Sequence, residues 1–481
     1  MSSDKYEAVI GLEVHVQLQT ESKLFCSGST QFGGEPNTQI TPVSLGLPGS
    51  LPVLNEKALE FGIKAALGLN LKIAERLKFD RKHYFYPDLP KAYQISQFDN
   101  PLSYDGYMDV ETKEETVRIR INRAHLEEDA GKLIHDSLPD ASLVDYNRCG
   151  VPLLEIVSEP DLRSAEQAYE YLTRLKAIVQ YVGVSDCSME KGSLRCDANV
   201  SVRLKGEEKL GTKAEVKNLN SFKAVAKSIQ YEIGRQIEVI ESGDRVLQET
   251  RLWNDKKGIT IAMRSKEGAH DYRYFPEPDL VPFTISRERV EELRKELPEL
   301  PQAREERFVK DFQLSQYDAR VLVADKKLAE YFETVVGQGA NPKRTSNLLT
   351  TELLGLLNTR KETLENCKVT PENFALLIKM IDDQKINGKI AKEVLPEIAE
   401  SGLAADKIVE QKGLTQVSDS GMLEEMAVKI VADNPKSVED YLSGKKTAIS
   451  FLVGQMMKET KGKANPAIAN QLFQKVIEKQ K

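Results

Sequence analysis

In residues 6 to 18 apolar and polar side chains take turns: Ile10, Leu12, Val14, Val16 and Leu18 fall on one side, Gly11, Glu13, His15 and Gln17 on the other. Period two is the signature of a β-strand with one dry and one wet face. Residues 194 to 203 do the same, with Leu194, Cys196, Ala198, Val200 and Val202 opposite Arg195, Asp197, Asn199, Ser201 and Arg203. Lys213, Glu215 and Lys217 likewise stand against Ala214 and Val216. Antiparallel sheets are the kind that keep one face wet. Here the wet faces are unusually rich in ionisable groups, which predicts a sheet lining a polar cleft.

The alternation holds, with breaks, from Tyr6 to about Thr284. One clear helix interrupts it: Ser164 and Gln167 form a capping-box pattern, Leu172, Leu175, Ile178, Val179 and Val182 make the apolar stripe, and Gly183 supplies the stop. After Leu297-Pro298-Glu-Leu-Pro301 the period becomes 3.6, so that 302 to 337 and 345 to 366 read as helices. A second break at Gly402 to Asp406 sets off a last helical unit. At roughly 150 residues per domain, 481 residues make about three domains. The fold class is therefore α+β, a mostly antiparallel sheet region followed by two all-helical ones.

Several functions are excluded. A net charge of -7 argues against a polycation that coats nucleic acid. Residues 441 to 481 are the exception, with Lys445, Lys446, Lys458, Lys461, Lys463, Lys475, Lys479 and Lys481 against Glu459 and Glu478, a local net of +6. Such a face is either a solvated helix surface or a phosphate-backbone contact. Met1-Ser-Ser-Asp-Lys carries no export signal, and the longest uncharged stretch, 37 to 55, is broken by Pro42, Gly46, Pro48, Gly49 and Pro52. Cys26, Cys149, Cys187, Cys196 and Cys367 form no CxxC pair. A reduced, cytoplasmic protein without disulfides and without a membrane span is the expectation. There is no GxxxxGK[ST], GxGxxG, HExxH or GxSxG, so ATP, if used, is held without a P-loop.

What remains is a set of hard ligands on wet strand faces. Glu13 and His15 project from one face, and Glu155 sits between Leu154 and Ile156. His125-Leu-Glu127-Glu128-Asp129 ends the run Val117, Ile119, Ile121. Singly each acid is an ordinary salt-bridge partner; together, carboxylates with an imidazole and no thiolate suit Mg²⁺ or Mn²⁺. A second cluster, Phe79 to Gln94, interleaves Lys82 and Lys91 with Tyr84 and Tyr93. It is either a loop packed on the core or a holder of triphosphate and base.

Gly11-Leu-Glu-Val-His-Val, Phe79-Asp-Arg-Lys-His-Tyr-Phe-Tyr-Pro-Asp, His125-Leu-Glu-Glu-Asp-Ala-Gly-Lys, Glu155-Ile-Val-Ser-Glu-Pro-Asp, Gly192-Ser-Leu-Arg-Cys-Asp-Ala-Asn, Lys217-Asn-Leu-Asn-Ser-Phe and Asp271-Tyr-Arg-Tyr-Phe-Pro-Glu-Pro-Asp occur in that order. With Phe451-Leu-Val-Gly-Gln-Met-Met-Lys in the tail, they resemble the GatB family of aspartyl/glutamyl-tRNA amidotransferases over essentially the whole chain. The resemblance implies a cradle domain with a kinase and transamidase site (1–293), a helical domain (294–405) and a helical tail contacting tRNA (406–481). It implies a heterotrimer with an amidase (A) subunit and a small linking (C) subunit, and ATP and Mg²⁺ as cofactors. The implied enzyme is a glutamine-hydrolysing carbon–nitrogen ligase. ATP phosphorylates the side-chain carboxylate of Glu-tRNA(Gln) or Asp-tRNA(Asn), and ammonia from the partner displaces phosphate.

By resemblance, His15, Glu128 and Glu155 are assigned to metal, and Glu13, Lys82, Tyr84 and Lys91 to nucleotide or phosphate; Glu13, His15, Glu128 and Glu155 form the catalytic set. Strand alternation alone leaves Glu127 and Glu128 undecided. Many family members carry a zinc knuckle where this chain has Cys26, Gly28, Thr41 and Ser44. One cysteine does not hold zinc, so no structural zinc is expected and packing must hold the loop. Two other classes compete. A non-catalytic tRNA-binding scaffold has little use for converging acids beside lysines, and a ligase of small acids leaves the helical regions and lysine-rich tail without a role.

Overall fold

The computed structural model describes residues 5–478 except 139–140, 264–270, 415–419, 444, 446, 461–463 and 465. Nine strands make the main sheet: β1 (Tyr6–Gln17), β2 (Lys72–Ile73), β3 (Ser103–Glu111), β4 (Thr116–Glu128), β5 (Pro152–Ser158), β6 (Leu194–Leu204), β7 (Ala214–Lys217), β8 (Glu249–Asn254) and β9 (Ile259–Ala262). Their order is β9-β8-β7-β6-β1-β5-β4-β3-β2. Every pairing is antiparallel except β7 with β8.

The alternation in β1 does what it dictates. Ile10, Leu12, Val14 and Val16 are buried in one core with residues of three helices, α1 (Glu56–Gly68), α2 (Ala165–Tyr181) and α3 (Phe222–Glu241). The polar residues of β1 face the other way. α2 begins as expected, the Ser164 side chain accepting from the Gln167 N–H. α1 and α3 are additions to the single helix read from sequence. In α1 a glycine occupies a packed position: a Cβ on Gly62 would come within 2.7 Å of Leu102 Cδ2. In α3 the buried face includes Ser228, Glu232 and Gln236. Both features hide the apolar stripe.

β4 carries a bulge. Val157 lies opposite Arg123, but Ser158 lies opposite Ile121, leaving Asn122 as an extra residue. Before it the buried apolar side chains are Ile119 and Ile121; after it they are Ala124 and Leu126. The neighbouring β3 bends with it, Asp105 taking a φ of 53°. Gly106 follows at once, where a Cβ would sit 2.5 Å from Leu71 Cγ and 2.9 Å from the Leu69 carbonyl oxygen. Gly106→Ala is expected to destabilise the protein by about 1–3 kcal/mol. An unchanged melting temperature would show that the 69–71 backbone moves aside freely.

The chain forms two compact units, Met1–Ala303 and Arg304–Lys481. The second is helical. Pro301–Phe312, Gln316–Val323, Lys326–Gly337, Pro342–Leu348 and Leu354–Arg360 fill the stretches expected to be helical, and Gly402, at φ 72°, ends the helix Gly388–Ser401. This unit holds one hydrophobic core between Phe308 and Val409 and another between Leu423 and Ile477. The architecture is thus α+β followed by helices. No helix among the described residues is long and apolar enough to cross a membrane.

Candidate active site

The antiparallel register lines up one row across four strands of the wet face: His125 on β4 opposite Glu155 on β5, Glu155 opposite His15 on β1, and His15 opposite Arg195 on β6. His125 Nε2 lies 3.3 Å from Glu155 Oε2, and His15 Nε2 lies 3.6 Å from the same oxygen. Glu127, one step along β4, brings Oε1 within 3.6 Å of His15 Nε2. One donor atom each from His15, Glu127 and Glu155 falls within 4.8 Å of the others, the one such group among the described residues.

Burial opposes charge in this row, yet the row is charged. Burial disfavours the Glu155 carboxylate, but His125 and His15 outweigh it and hold its carboxyl well below the usual range. Burial likewise disfavours the His125 imidazolium, and Glu155 and Glu127 overcome that, lifting its pKa to about 9. A bound cation would take the place of the proton on His15, because an imidazole nitrogen binds metal only when unprotonated. An imidazole and two carboxylates, with no thiolate, are a donor set that fits Mg²⁺ or Mn²⁺.

Behind the row, Asp129 accepts from Arg195 at 2.7 Å and from Gln17 at 2.8 Å. It thereby fixes the guanidinium that ends the row.

The residues assigned from sequence divide. His15 and Glu155 come together; Glu128 does not join them. Its carboxylate pairs with Lys91 and accepts the Ile95 N–H at 2.9 Å, so Lys91 also turns to Glu128. Consecutive strand residues point to opposite sides, and Glu127 faces His15. Lys82, on the strand Asp80–His83, faces the row: burial disfavours its ammonium, but Glu127, Tyr274 and Glu155 more than compensate. Its Nζ sits 5.0 Å from the Tyr272 ring centroid. Tyr84 donates to Gln94 Oε1 at 3.4 Å and packs edge-on against Tyr272. Glu13, next to His15 on the wet face, accepts from Asn199 Nδ2 at 2.9 Å. It lines a cavity of about 370 Å³ with Gly11, Val157, Ser201 and Lys213.

Sequence reasoning put Arg195 on a wet face but did not bring it, His125, Glu127 and Asp129 together with His15 and Glu155. The motif that carries three of them was visible, but their register was not. The loop with Cys26, Gly28, Thr41 and Ser44 is closed by hydrogen bonds. Thr41 Oγ1 donates to Cys26 Sγ at 3.2 Å, and Thr41 and Ser44 cap each other at the helix Pro42–Leu45.

Comparison with known proteins agrees with this geometry. Residues 8–291 match the model of the GatB/GatE catalytic domain, and residues 330–477 that of the GatB domain. The chain is 55% identical to the GatB-type aspartyl/glutamyl-tRNA(Asn/Gln) amidotransferase chain of Carboxydothermus hydrogenoformans, covering 99% of both chains. It is 56% identical to that of Caldanaerobacter subterraneus subsp. tengcongensis, over 99% of this chain and 100% of the relative. For Brevibacillus brevis the figures are 54%, 98% and 99%. With the match running through both units, the chain belongs to the GatB family of aspartyl/glutamyl-tRNA(Asn/Gln) amidotransferases.

Proposed function

We propose that this chain is the carboxylate-activating subunit of an ATP-dependent, glutamine-hydrolysing tRNA amidotransferase. The observation that supports the reading is the charged row His125–Glu155–His15 with Glu127 and Lys82 on one wet face. A carboxylate resists ammonia because charge and resonance protect its carbon; conversion to an acyl phosphate removes both. His15, Glu127 and Glu155 would hold the divalent ion, which when bound neutralises charge on the transferred phosphoryl group. The Lys82 ammonium orients phosphoryl oxygens, and Glu13 with Asn199 shapes the adjoining cavity. Ammonia comes from an amidase partner, with a small linking subunit completing a cytoplasmic heterotrimer.

The test is trapping. The complete complex is given Glu-tRNA(Gln), ATP and Mg²⁺ with hydroxylamine in place of an ammonia source. Formation of the γ-hydroxamate on tRNA, with matching ADP, is the expected result. ADP release without hydroxamate would overturn the acyl phosphate, and hydroxamate formed undiminished by a Glu155→Ala complex would favour the scaffold reading.

The helical tail is proposed to contact tRNA. Of its lysines, Lys445, Lys458 and Lys475 are described, while Lys446, Lys461, Lys463, Lys479 and Lys481 lie outside the described residues. Because residues 423–477 form their own core, truncation after 414 leaves the rest intact. It should weaken tRNA binding by about tenfold or more and flatten its salt dependence, with turnover at saturating tRNA retained. Unaltered affinity would reduce the lysines to a solubility feature.

A further inference from the structure

The wet face does not end at the catalytic row. Along β4, Arg123 precedes His125 by one same-face step of roughly 7 Å, and Arg120 lies roughly 17 Å away. Opposite them on β3 stand Tyr104, paired with Arg123, and Tyr107, paired with Arg120. Tyr104 is 41% exposed and Tyr107 37%. The Arg118 guanidinium lies 4.0 Å over the Tyr107 ring while Asp109 holds it through two hydrogen bonds of 2.7 and 2.9 Å. Asp161 clamps Arg120 in the same bidentate way. These are flat, immobilised π surfaces on a rigid sheet.

Two cations here differ from the rest. Arg123 meets the Asn122 side-chain oxygen at 3.3 Å, and no carboxylate pairs with it among the described residues. Arg76, in the cleft of about 890 Å³ that both tyrosines line, is equally without an acid among them. The opposite flank of the row is different in kind, since β6 and β7 present Asp197 and Glu215, both held by Lys217. There two carboxylates share one ammonium, whereas on the β3–β4 side Asp109 and Asp161 each have an arginine of their own. Of the two flanks, the β3–β4 side is the one that combines exposed aromatic planes with uncompensated positive charge.

We propose that the wet face of β3 and β4 is the platform for the single-stranded 3′ end of the substrate RNA, with Tyr104 and Tyr107 as base-stacking surfaces and Arg123 as the phosphate contact nearest the reaction site. The inference rests on the functional reading above, which requires a carboxylate carried at the end of an RNA strand to reach His15 and Glu155. Continuity with the row argues for RNA over another occupant, since β4 carries the same wet face through the bulge, from Arg120 to Arg123, His125 and Glu127. Aromatic stacking with one phosphate contact is the usual chemistry of sequence-tolerant single-strand binding.

The experiment uses the complete complex and Glu-tRNA(Gln) whose terminal adenine is replaced by 2-aminopurine, a base whose fluorescence is quenched by stacking. Wild type should quench it on binding. In the Tyr104→Ala/Tyr107→Ala variant the quench should disappear and KM for aminoacyl-tRNA should rise about tenfold or more, with kcat and KM for ATP unchanged. The Tyr→Phe pair should restore both. Arg123→Ala should raise KM and lower its salt dependence, and Arg123→Lys should recover much of the loss.

A retained quench and unchanged KM would overturn the proposal. So would a broken complex on size-exclusion chromatography with RNA binding intact, which would make the face a protein contact. Failure of the functional reading looks different: wild type would bind and quench the RNA yet form no amide.

Discussion

Glu155→Ala in the complete complex should lower ammonium-dependent amidation of Glu-tRNA(Gln) by at least about 10²-fold, with tRNA affinity unchanged. Glu155 is the centre of the row, its Oε2 shared by His125 and His15. Without it two imidazoles face each other across an empty position, and the three-donor group loses a member. Free ammonium bypasses any glutaminase, so the assay isolates the chemistry assigned to this chain. Mn²⁺ titration by electron paramagnetic resonance should show the lost metal affinity directly. Glu127→Ala should behave the same way, whereas Glu128→Gln should leave Mn²⁺ binding intact, because Glu128 answers to Lys91. Amidation at wild-type rate in Glu155→Ala would remove the row from the reaction.

A second large effect is structural. Glu232 on α3 is fully buried and accepts from Arg235 at 2.8 Å, with Arg251 Nε on β8 3.1 Å away. Thr260 on β9 completes the set. Glu232→Leu removes the acid that Arg235 and Arg251 share, leaving Arg251 with Glu249 alone, and the sheet-bearing unit should lose about 3–5 kcal/mol. The single tryptophan, Trp253, is buried on β8 beside this network and reports its unfolding by fluorescence. Burial pushes the Glu232 carboxyl up, but Arg235, Thr260 and Gln236 together hold it below its ordinary 4.5. A depressed carboxyl stabilises the folded state above its unfolded value and stops doing so as pH falls through the folded one. The gap between wild type and Glu232→Leu should therefore be constant at neutral pH and narrow below about pH 4.5. Equal unfolding curves at pH 7 would show that water, not Glu232, satisfies the arginines.

Much of this was legible before any coordinates. Strict alternation in β1 and β6 placed Glu13, His15 and Arg195 on a wet face, because period two leaves no other choice. Register across strands was not legible, since nothing local says that Glu155 meets both His15 and His125. The ambiguity between Glu127 and Glu128 has a definite cause. Val117, Ile119 and Ile121 set an odd-numbered dry phase, and the bulge at Asn122 reverses it. Carried forward without the bulge, that phase turns Glu127 inward. α3 was hidden for a related reason: its dry face includes a charge, Glu232, whose partners come partly from β8 and β9, far along the chain.

The bulge takes up the one residue by which β4 exceeds its partner β5, so the two halves of the strand keep their faces although the numbering changes phase between them. Deleting Asn122 would leave a regular strand in which Arg123, His125 and Glu127 still face the wet side and Ala124 and Leu126 still face the helices. A one-residue deletion between His125 and Glu127 has no such slack and would put one of the two out of step with Glu155. Loss of a single codon is therefore best absorbed at the bulge itself and least well absorbed a few residues on, where the strand is matched residue for residue.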